Sequence, residues 1–236
     1  MKTKLIQVDH KVFEGIYNEQ MPRLVEEGYK PLTSKDIMEY RVKALKSKDK
    51  NEIDLWINKY WYTSTGLVYF NNDLIVVSNF KELLDINKKS YLNDRALEIK
   101  ERYEKLLKEN EAIKRDKIIS GRNLSKKEAK DHPIWNKLAQ DDKSLLDDYV
   151  EAIFDKVREV HSYNENMGIY LPDDQDVPLL RCWRLRGLGI RSGANARGDF
   201  CDDARLFGVR EKNLESILGN IVLEEKLNNP DELRKA

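Results

Sequence analysis

The sequence predicts an α+β fold in which antiparallel strands carry several added helices. Apolar residues recur at helical spacing in several segments between residues 33 and 161. Two apolar runs around a turn at residues 66–78 indicate a hairpin, and residues 193–203 alternate with the period of two that is typical of strands. A chain of 236 residues can bury a core without disulfides, and we expect a single domain over residues 1–236.

The first sixty residues predict one strand and three helices. The strand covers Lys4–Val8, where branched apolar residues are concentrated. Apolar spacing predicts helices at residues 21–27, 33–45 and 52–60. Pro22 suits the first turn of the first helix, and Thr33 or Ser34 can cap the second.

A β-hairpin and a group of aromatic residues come next to each other in the chain. The sequences GLVYF and LIVVS flank Asn-Asn-Asp at residues 71–73, which predicts the hairpin. The aromatic residues before it are Trp56, Tyr60, Trp61 and Tyr62. They could form a base-stacking platform, but we favour core packing because large aromatic side chains are mostly buried.

The following eighty residues are predicted to be mainly helical. Residues 91–112 have amphipathic spacing, and the sequence SKKE at residues 125–128 has the form of a capping box. A helix restarts near Pro133, and a long amphipathic helix follows from Ser144. Residues 162–178 combine turn residues with no periodicity, which predicts a loop.

Composition and charge exclude several classes of function. Lys plus Arg and Asp plus Glu both total 42, so no net charge draws the whole chain to nucleic acid or anionic lipid. No apolar run could span a bilayer and the Lys-rich start lacks a signal peptide, so we expect a cytoplasmic protein without membrane contact. The three histidines have no second ligand at metal spacing, and neither a metal nor a cofactor is expected. Pairing between the two cysteines, Cys182 and Cys201, remains open.

Residues 181–210, called here the Arg-rich segment, differ in composition from the rest of the chain. They hold seven Arg and no Lys, although the whole chain has more Lys than Arg. A nucleic-acid site would explain the Arg but not the missing Lys, because phosphate binds both. Glu, Gln and Met are missing as well. Codons that end in a pyrimidine cannot encode Lys, Glu, Gln or Met, and randomising the two adenines of an Asn codon generates such a set.

The Arg-rich segment also alternates between two classes of residue. Small or apolar residues occupy the even positions from 192 to 200, and chemically unrelated residues occupy the odd positions from 193 to 203. A weaker alternation separates Cys182, Arg184 and Arg186 from Trp183 and Leu185. In an extended chain one set can face a scaffold while the other faces outward. We expect the outward set to be free to vary.

The layout of the segment resembles that of a known family. It consists of Trp183, Gly187, the pair Arg191-Ser192, an interrupted run, and the ending Gly208-Val209-Arg210. This layout resembles the C-terminal variable region of proteins diversified by retroelements, in particular archaeal variable proteins with a C-type lectin fold of the formylglycine-generating-enzyme-like branch. The resemblance implies that a reverse transcriptase copies a template repeat with errors at adenines and replaces this segment.

The resemblance also implies which residues bind the ligand and which form the scaffold. The variable, ligand-binding positions would be Cys182, Arg184, Arg186, Ile190, Gly193, Asn195, Arg197, Asp199, Cys201 and Asp203. The scaffold positions would be Trp183, Leu185, Phe200, Leu206 and Val209. Arg191 and Arg205 could belong to either class.

We therefore expect a receptor-type ligand-binding protein and not an enzyme. Its partner would be a macromolecule, with a protein favoured over a nucleic acid. The alternative is an Arg-rich nucleic-acid-binding protein, whose affinity should fall steeply as salt rises. A further interpretation is an ordinary Arg-rich hairpin at the edge of an α+β domain, with no recognition role.

Overall fold

The fold is built around one large mixed sheet with helices on both faces. The computed structural model describes residues 6–188 and 193–213. The helices in these ranges are α1 (Tyr17–Glu26), α2 (Ser34–Ser47), α3 (Lys50–Trp56), α4 (Lys81–Leu84), α5 (Lys100–Glu109), α6 (Lys126–Asp131), α7 (Pro133–Leu138) and α8 (Lys143–His161). The strands are β1 (Ile6–Ile16), β2 (Lys30–Pro31), β3 (Trp61–Phe70), β4 (Asp73–Val77), β5 (Leu92–Asn93), β6 (Ala96–Glu98), β7 (Ile113–Lys114), β8 (Leu124–Ser125), β9 (Glu165–Asn166), β10 (Gly168–Tyr170), β11 (Leu179–Leu185), β12 (Gly193–Asn195) and β13 (Asp203–Asn213).

The order of strands along the centre of the sheet is β1–β13–β3–β11–β12–β10. β1 and β13 pair antiparallel over their full lengths, from Ile6 with Asn213 to Ile16 with Asp203. The pairs β13–β3 and β10–β12 are parallel, whereas β3–β11, β11–β12 and β3–β4 are antiparallel. β3 and β11 are therefore interior strands with a neighbour on each side.

Helices cover both faces of this sheet. One apolar cluster joins residues of α2, α3, α6, α7 and α8 to Trp183 and Leu185 of β11. A second cluster joins residues of α1, α4 and α5 to Leu180 and Cys182 of the same strand. Because both faces are covered, β11 is buried along nearly its whole length.

Several predicted elements are confirmed. The hairpin is formed by β3 and β4, whose turn places Asn71 and Asn72 at positive φ. Thr33 and Ser125 each form a capping box, with Asp36 and Glu128 as the acidic partners. Of the aromatic group, Trp56, Trp61 and Tyr62 are buried in the core and Tyr60 is exposed.

Near the N-terminus, the predicted bounds are wrong for the first strand and the first helix. β1 continues to Ile16, well beyond the predicted end at Val8. α1 begins at Tyr17, so Pro22 lies inside the helix and not in its first turn. The backbone N–H groups of residues 17 and 18 donate to carbonyls of residues 202 and 200, both at 3.2 Å. These hydrogen bonds to the loop at residues 200–202 explain why α1 begins four residues before its predicted start at residue 21. The third helix, α3, runs over Lys50–Trp56 instead of residues 52–60.

Two further predictions are wrong in the middle of the chain. Residues 92–98 form the small hairpin β5–β6 and not the first half of a helix. Asp94 and Arg95 both adopt positive φ, 47° and 57°, which gives the two-residue turn of a tight hairpin. The predicted loop at residues 162–178 contains β9 and β10, and β10 pairs with β12 of the Arg-rich segment.

Candidate ligand-binding surface

One row of paired residues crosses the sheet beside the Arg-rich segment. Tyr62 on β3 pairs with Leu206 on one side and with Arg184 on the other. Arg184 pairs in turn with Asn195, and Asn195 pairs with Tyr170. Residues paired directly across strands share a face of the sheet. The Arg184 side chain therefore lies on the same face as Tyr62.

Three residues predicted to face outward are buried instead. Cys182 is fully buried in the second apolar cluster, and Asn195 is only 6% exposed. Gly193 is buried as well, and a Cβ added to it would lie 2.2 Å from the carbonyl oxygen of Gly168. The prediction that these three lie on the surface is wrong. Cys182 packs with residues of α1 in the second apolar cluster, Gly193 lies directly against Gly168 of β10, and the Asn195 side chain accepts the backbone N–H of Arg197.

Other residues of the predicted variable set do reach solvent. Arg197, Cys201 and Asp203 are exposed, and Arg184, Arg186 and Asp199 are partly buried. Ile190 and Arg191 lie outside the described residues. Four of the residues predicted to face the scaffold are fully buried: Trp183, Leu185, Phe200 and Leu206. Val209, also predicted as scaffold, is partly buried.

Two partly buried arginines pack against tyrosine rings. We call this group, with its neighbours, the arginine–tyrosine patch, which consists of Tyr60, Tyr62, Tyr170, Arg184, Arg186 and Arg205. The guanidinium carbon of Arg184 lies 5.7 Å from the ring centre of Tyr60 and 5.4 Å from that of Tyr62. Arg184 Nη1 also donates to Tyr62 Oη at 3.2 Å. Arg186 lies 5.6 Å from the ring centre of Tyr170. Such cation–π contacts fix the guanidinium planes.

A tight turn from outside the Arg-rich segment completes a second, more polar region. We call this region the ion-pair cleft, and its lining residues are Asp94, Arg95, Pro172, Asp173, Gln175, Arg181, Arg197 and Asp199. Its volume is about 480 Å³. Asp199 accepts from Arg181 Nη1 at 2.7 Å through one oxygen and from Arg95 Nη1 at 2.8 Å through the other. Asp199 is therefore tied to the framework, although it was predicted to be a variable position.

Arg181 holds the loop that lines this cleft. Its side chain is 5% exposed and donates to the carbonyl oxygens of Arg197 and Gly198 as well as to Asp199. Its other guanidinium nitrogen reaches the carbonyl and carboxylate oxygens of Asp94. The Asn195 side chain adds a further tie, since its Oδ1 accepts the backbone N–H of Arg197 at 2.7 Å. The backbone of residues 195–199 is thus anchored while the Arg197 side chain remains exposed.

The two cysteines have opposite environments and do not pair. Cys182 is a buried free thiol, whereas Cys201 is an exposed free thiol. Burial raises the pKa of Cys182 to about 12, because an apolar environment disfavours the thiolate. Burial also raises the pKa of Tyr62, so its phenol stays neutral while it accepts the hydrogen bond from Arg184.

Within residues 6–188 and 193–213, no group of three His, Cys, Asp or Glu side chains could hold a metal ion. No helix in the described part of the chain has the length and apolar character needed to cross a bilayer.

Sequence reasoning missed the residues that support this surface from outside the Arg-rich segment. The rings of Tyr60 and Tyr170 pack against Arg184 and Arg186, respectively. Asp94 and Arg95 line the ion-pair cleft. The sequence predicts a core position for Tyr60, like that of its aromatic neighbours, but the ring is exposed. The turn residues Asp94 and Arg95 fell within a predicted helix, and no signal along the chain links them to a segment about a hundred residues away.

Comparison with known proteins identifies the fold. No protein-family model and no curated protein match this chain. Among solved structures, the chain is similar to one described as "accommodation of massive sequence variation in Nanoarchaeota by the C-type lectin fold". The likeness has a TM-score of 0.61 and 18% sequence identity, and it covers 89% of this chain and 99% of the other. The chain therefore has a C-type lectin fold, and on that fold it presents a surface rich in arginine and tyrosine.

Proposed function

We propose that this chain is a receptor-type ligand-binding protein that recognises a macromolecule through exposed side chains of its Arg-rich segment. We further propose that a diversity-generating retroelement varies this segment. The fold supports the proposal, since a protein of the same fold is described as accommodating massive sequence variation. The codon pattern of the segment supports it independently, because retroelement mutagenesis at adenines yields that set of residues.

The main support for the proposal is that fully buried and solvent-accessible side chains lie next to each other within one short stretch of chain. Trp183, Leu185 and Phe200 are fully buried, whereas Arg184, Arg186 and Cys201 beside them reach solvent. A buried framework keeps the backbone fixed, so an exposed side chain can change at little cost in stability. This combination suits a recognition surface whose specificity changes without loss of the fold.

The proposal includes a protein ligand and no catalytic activity. The ion-pair cleft alternates basic and acidic side chains, with Arg95, Arg181 and Arg197 set against Asp94 and Asp199. Mixed charge of this kind favours directional pairing with another protein surface over attraction to a uniform polyanion.

Two experiments test the proposed function. Sequencing around the gene should reveal a near-copy of the coding sequence for residues 181–210, differing at adenines, beside a reverse transcriptase gene. A display library that randomises Arg184, Arg186, Arg197, Cys201 and Asp203 should yield specific binders to unrelated protein targets. A matched library at five exposed positions of α8 should not. Absence of the template repeat would remove the retroelement from the proposal, and failure of the library would remove the recognition role.

Nucleic-acid binding is the second candidate, and the arginine–tyrosine patch favours it. Guanidinium groups pair with phosphate, and aromatic rings can stack on bases. Binding to an oligonucleotide that weakens steeply with salt and tolerates many base sequences would support this candidate. Binding to one protein partner, with indifference to generic DNA, would support the first.

A further inference from the structure

We propose that Arg184 and Arg186 form a carboxylate-binding pocket that receives an acidic side chain from a protein partner. This inference rests on the proposed function and names the chemistry of its ligand. The pocket has a volume of about 240 Å³ and is lined by Asn58, Tyr60, Arg184, Arg186, Gly187 and Leu188. Binding sites for whole small molecules typically begin at about 300 Å³, so this pocket has room for one side chain.

Arg184 differs from Arg181 and Arg205 because no carboxylate pairs with it. Arg181 is paired with Asp94 and Asp199, and Arg205 Nε lies 2.6 Å from a carboxylate oxygen of Glu14. Among the residues that the structure describes, Arg184 makes no ion pair, and its Nε is buried without a hydrogen-bond partner. Buried charges are normally paired, and an arginine fork binds a carboxylate through two parallel hydrogen bonds. In the unliganded protein the Arg184 guanidinium therefore has hydrogen-bond donors available for an anion.

The pocket is arranged before any ligand arrives. The Arg184 guanidinium contacts the rings of both Tyr60 and Tyr62, which meet edge to face, and Arg184 Nη1 donates to Tyr62 Oη. The ring of Tyr170 supports Arg186 in the same way. An arginine that is already immobile loses less side-chain entropy on binding than a free surface arginine does. Preorganisation of this kind favours a single well-placed anion.

The surroundings favour a carboxylate from a protein over the phosphates of a nucleic acid. Tyr62 is 1% exposed and offers no face to a base, and the exposed Tyr60 ring already contacts the guanidinium groups of both Arg184 and Arg205. A phosphate backbone that continued past the pocket would meet the exposed carboxylate of Glu14.

The test measures binding of a fluorescein-labelled deca-glutamate peptide by anisotropy, with labelled deca-deoxythymidylate as the phosphate probe. We expect the wild-type protein to bind the peptide in preference to the oligonucleotide. Arg184→Ala should weaken peptide binding by about tenfold, and Arg184→Lys should recover only part of the loss because it lacks the fork. Tyr60→Leu, outside the Arg-rich segment, should also weaken it. Arg158→Ala on α8 removes the same charge from an exposed site and should have no effect.

Circular dichroism of each variant separates loss of binding from loss of folding. The inference is overturned if the folded wild-type protein does not bind the peptide, or if Arg158→Ala weakens binding as much as Arg184→Ala does. Stronger binding of the oligonucleotide would overturn it in favour of a nucleic-acid site. If the display library yields binders while the parent protein ignores the peptide, only this inference fails and the proposed function stands.

Discussion

Arg181 shows how one buried side chain can shape an exposed loop. Its guanidinium makes six hydrogen bonds, to Tyr69, Asp94, Arg197, Gly198 and Asp199. In the sequence Arg181 is one of the seven arginines of the Arg-rich segment, and nothing separates it from the others. Its 5% exposure makes it part of the framework, whereas Arg197 in the same segment is exposed.

Replacement of Arg181 by Met should be strongly destabilising. The change leaves Asp199 with only one of its two cations and removes the donors that hold the backbone at residues 197–198. Breaking a buried ion pair costs about 3–5 kcal/mol of unfolding free energy. Urea denaturation measures this loss. Arg95→Ala removes the other cation of Asp199 from an exposed site and should have a much smaller effect; equal losses would contradict the framework role.

The two thiols should differ sharply in reactivity. A pH of 8 is far below the Cys182 pKa of about 12, so this thiol stays neutral. It is also fully buried, so a reagent cannot reach it. Cys201 is exposed. A thiol reagent such as dithiobis-nitrobenzoate should therefore modify one cysteine in the native protein and two in denaturant. Native Cys201→Ser should not react; rapid reaction of that variant would mean that Cys182 is not enclosed.

At the scale of single elements, the pairing of β10 with β12 depends on glycine. Gly193→Ala should lower stability by about 3 kcal/mol, because the added Cβ would lie 2.2 Å from a backbone oxygen of Gly168 that cannot move aside alone. Gly198→Ala is the matched control, since its nearest neighbour is the end of the Tyr62 side chain at 3.0 Å. Thermal unfolding of the two variants should rank Gly193→Ala well below Gly198→Ala. The reverse order would contradict the observed register.

Elements with strong local signals could be predicted from the sequence, and elements defined by distant contacts could not. The capping boxes at Thr33 and Ser125 and the β3–β4 hairpin depend on neighbours within a few residues. The early start of α1 depends instead on carbonyls near residue 200, and the β5–β6 turn lies where amphipathic spacing suggests helix. Such tertiary contacts override local propensity.

The same reasoning explains which residues of the Arg-rich segment are exposed or buried as the alternation predicts. Period-two alternation separates two faces but does not show whether the outer face is open. It correctly places Trp183 inside and leaves Arg184 accessible, yet it fails for Cys182 because α1 packs over that face. The supporting residue Tyr60 comes from a distant part of the chain and could be found only from the fold.

At the scale of the whole molecule, tolerance to change should follow exposure and not sequence parity. The triple variant Arg197→Asn, Cys201→Ser and Asp203→Asn alters only exposed positions. Its unfolding free energy should stay within about 1 kcal/mol of wild type, since exposed changes are nearly neutral and add when they are independent. Cys182→Asn alone should cost more, about 2–3 kcal/mol, because it places an amide in an apolar cluster. Guanidinium denaturation measures both, and a larger loss in the triple variant would contradict the division into framework and surface.

The pairing of β1 with β13 determines where this protein can be attached to something else. Ile6 lies opposite Asn213 at one end of this ladder. Near the other end, where Ile16 pairs with Asp203, Glu14 pairs with Arg205 of the arginine–tyrosine patch. Eleven residues of strand span roughly 35 Å, so the two ends of the ladder are far apart on the molecule. A carrier joined through either Ile6 or Asn213 would lie on the side remote from the proposed recognition surface. Many copies mounted in this way would all present that proposed surface away from their support.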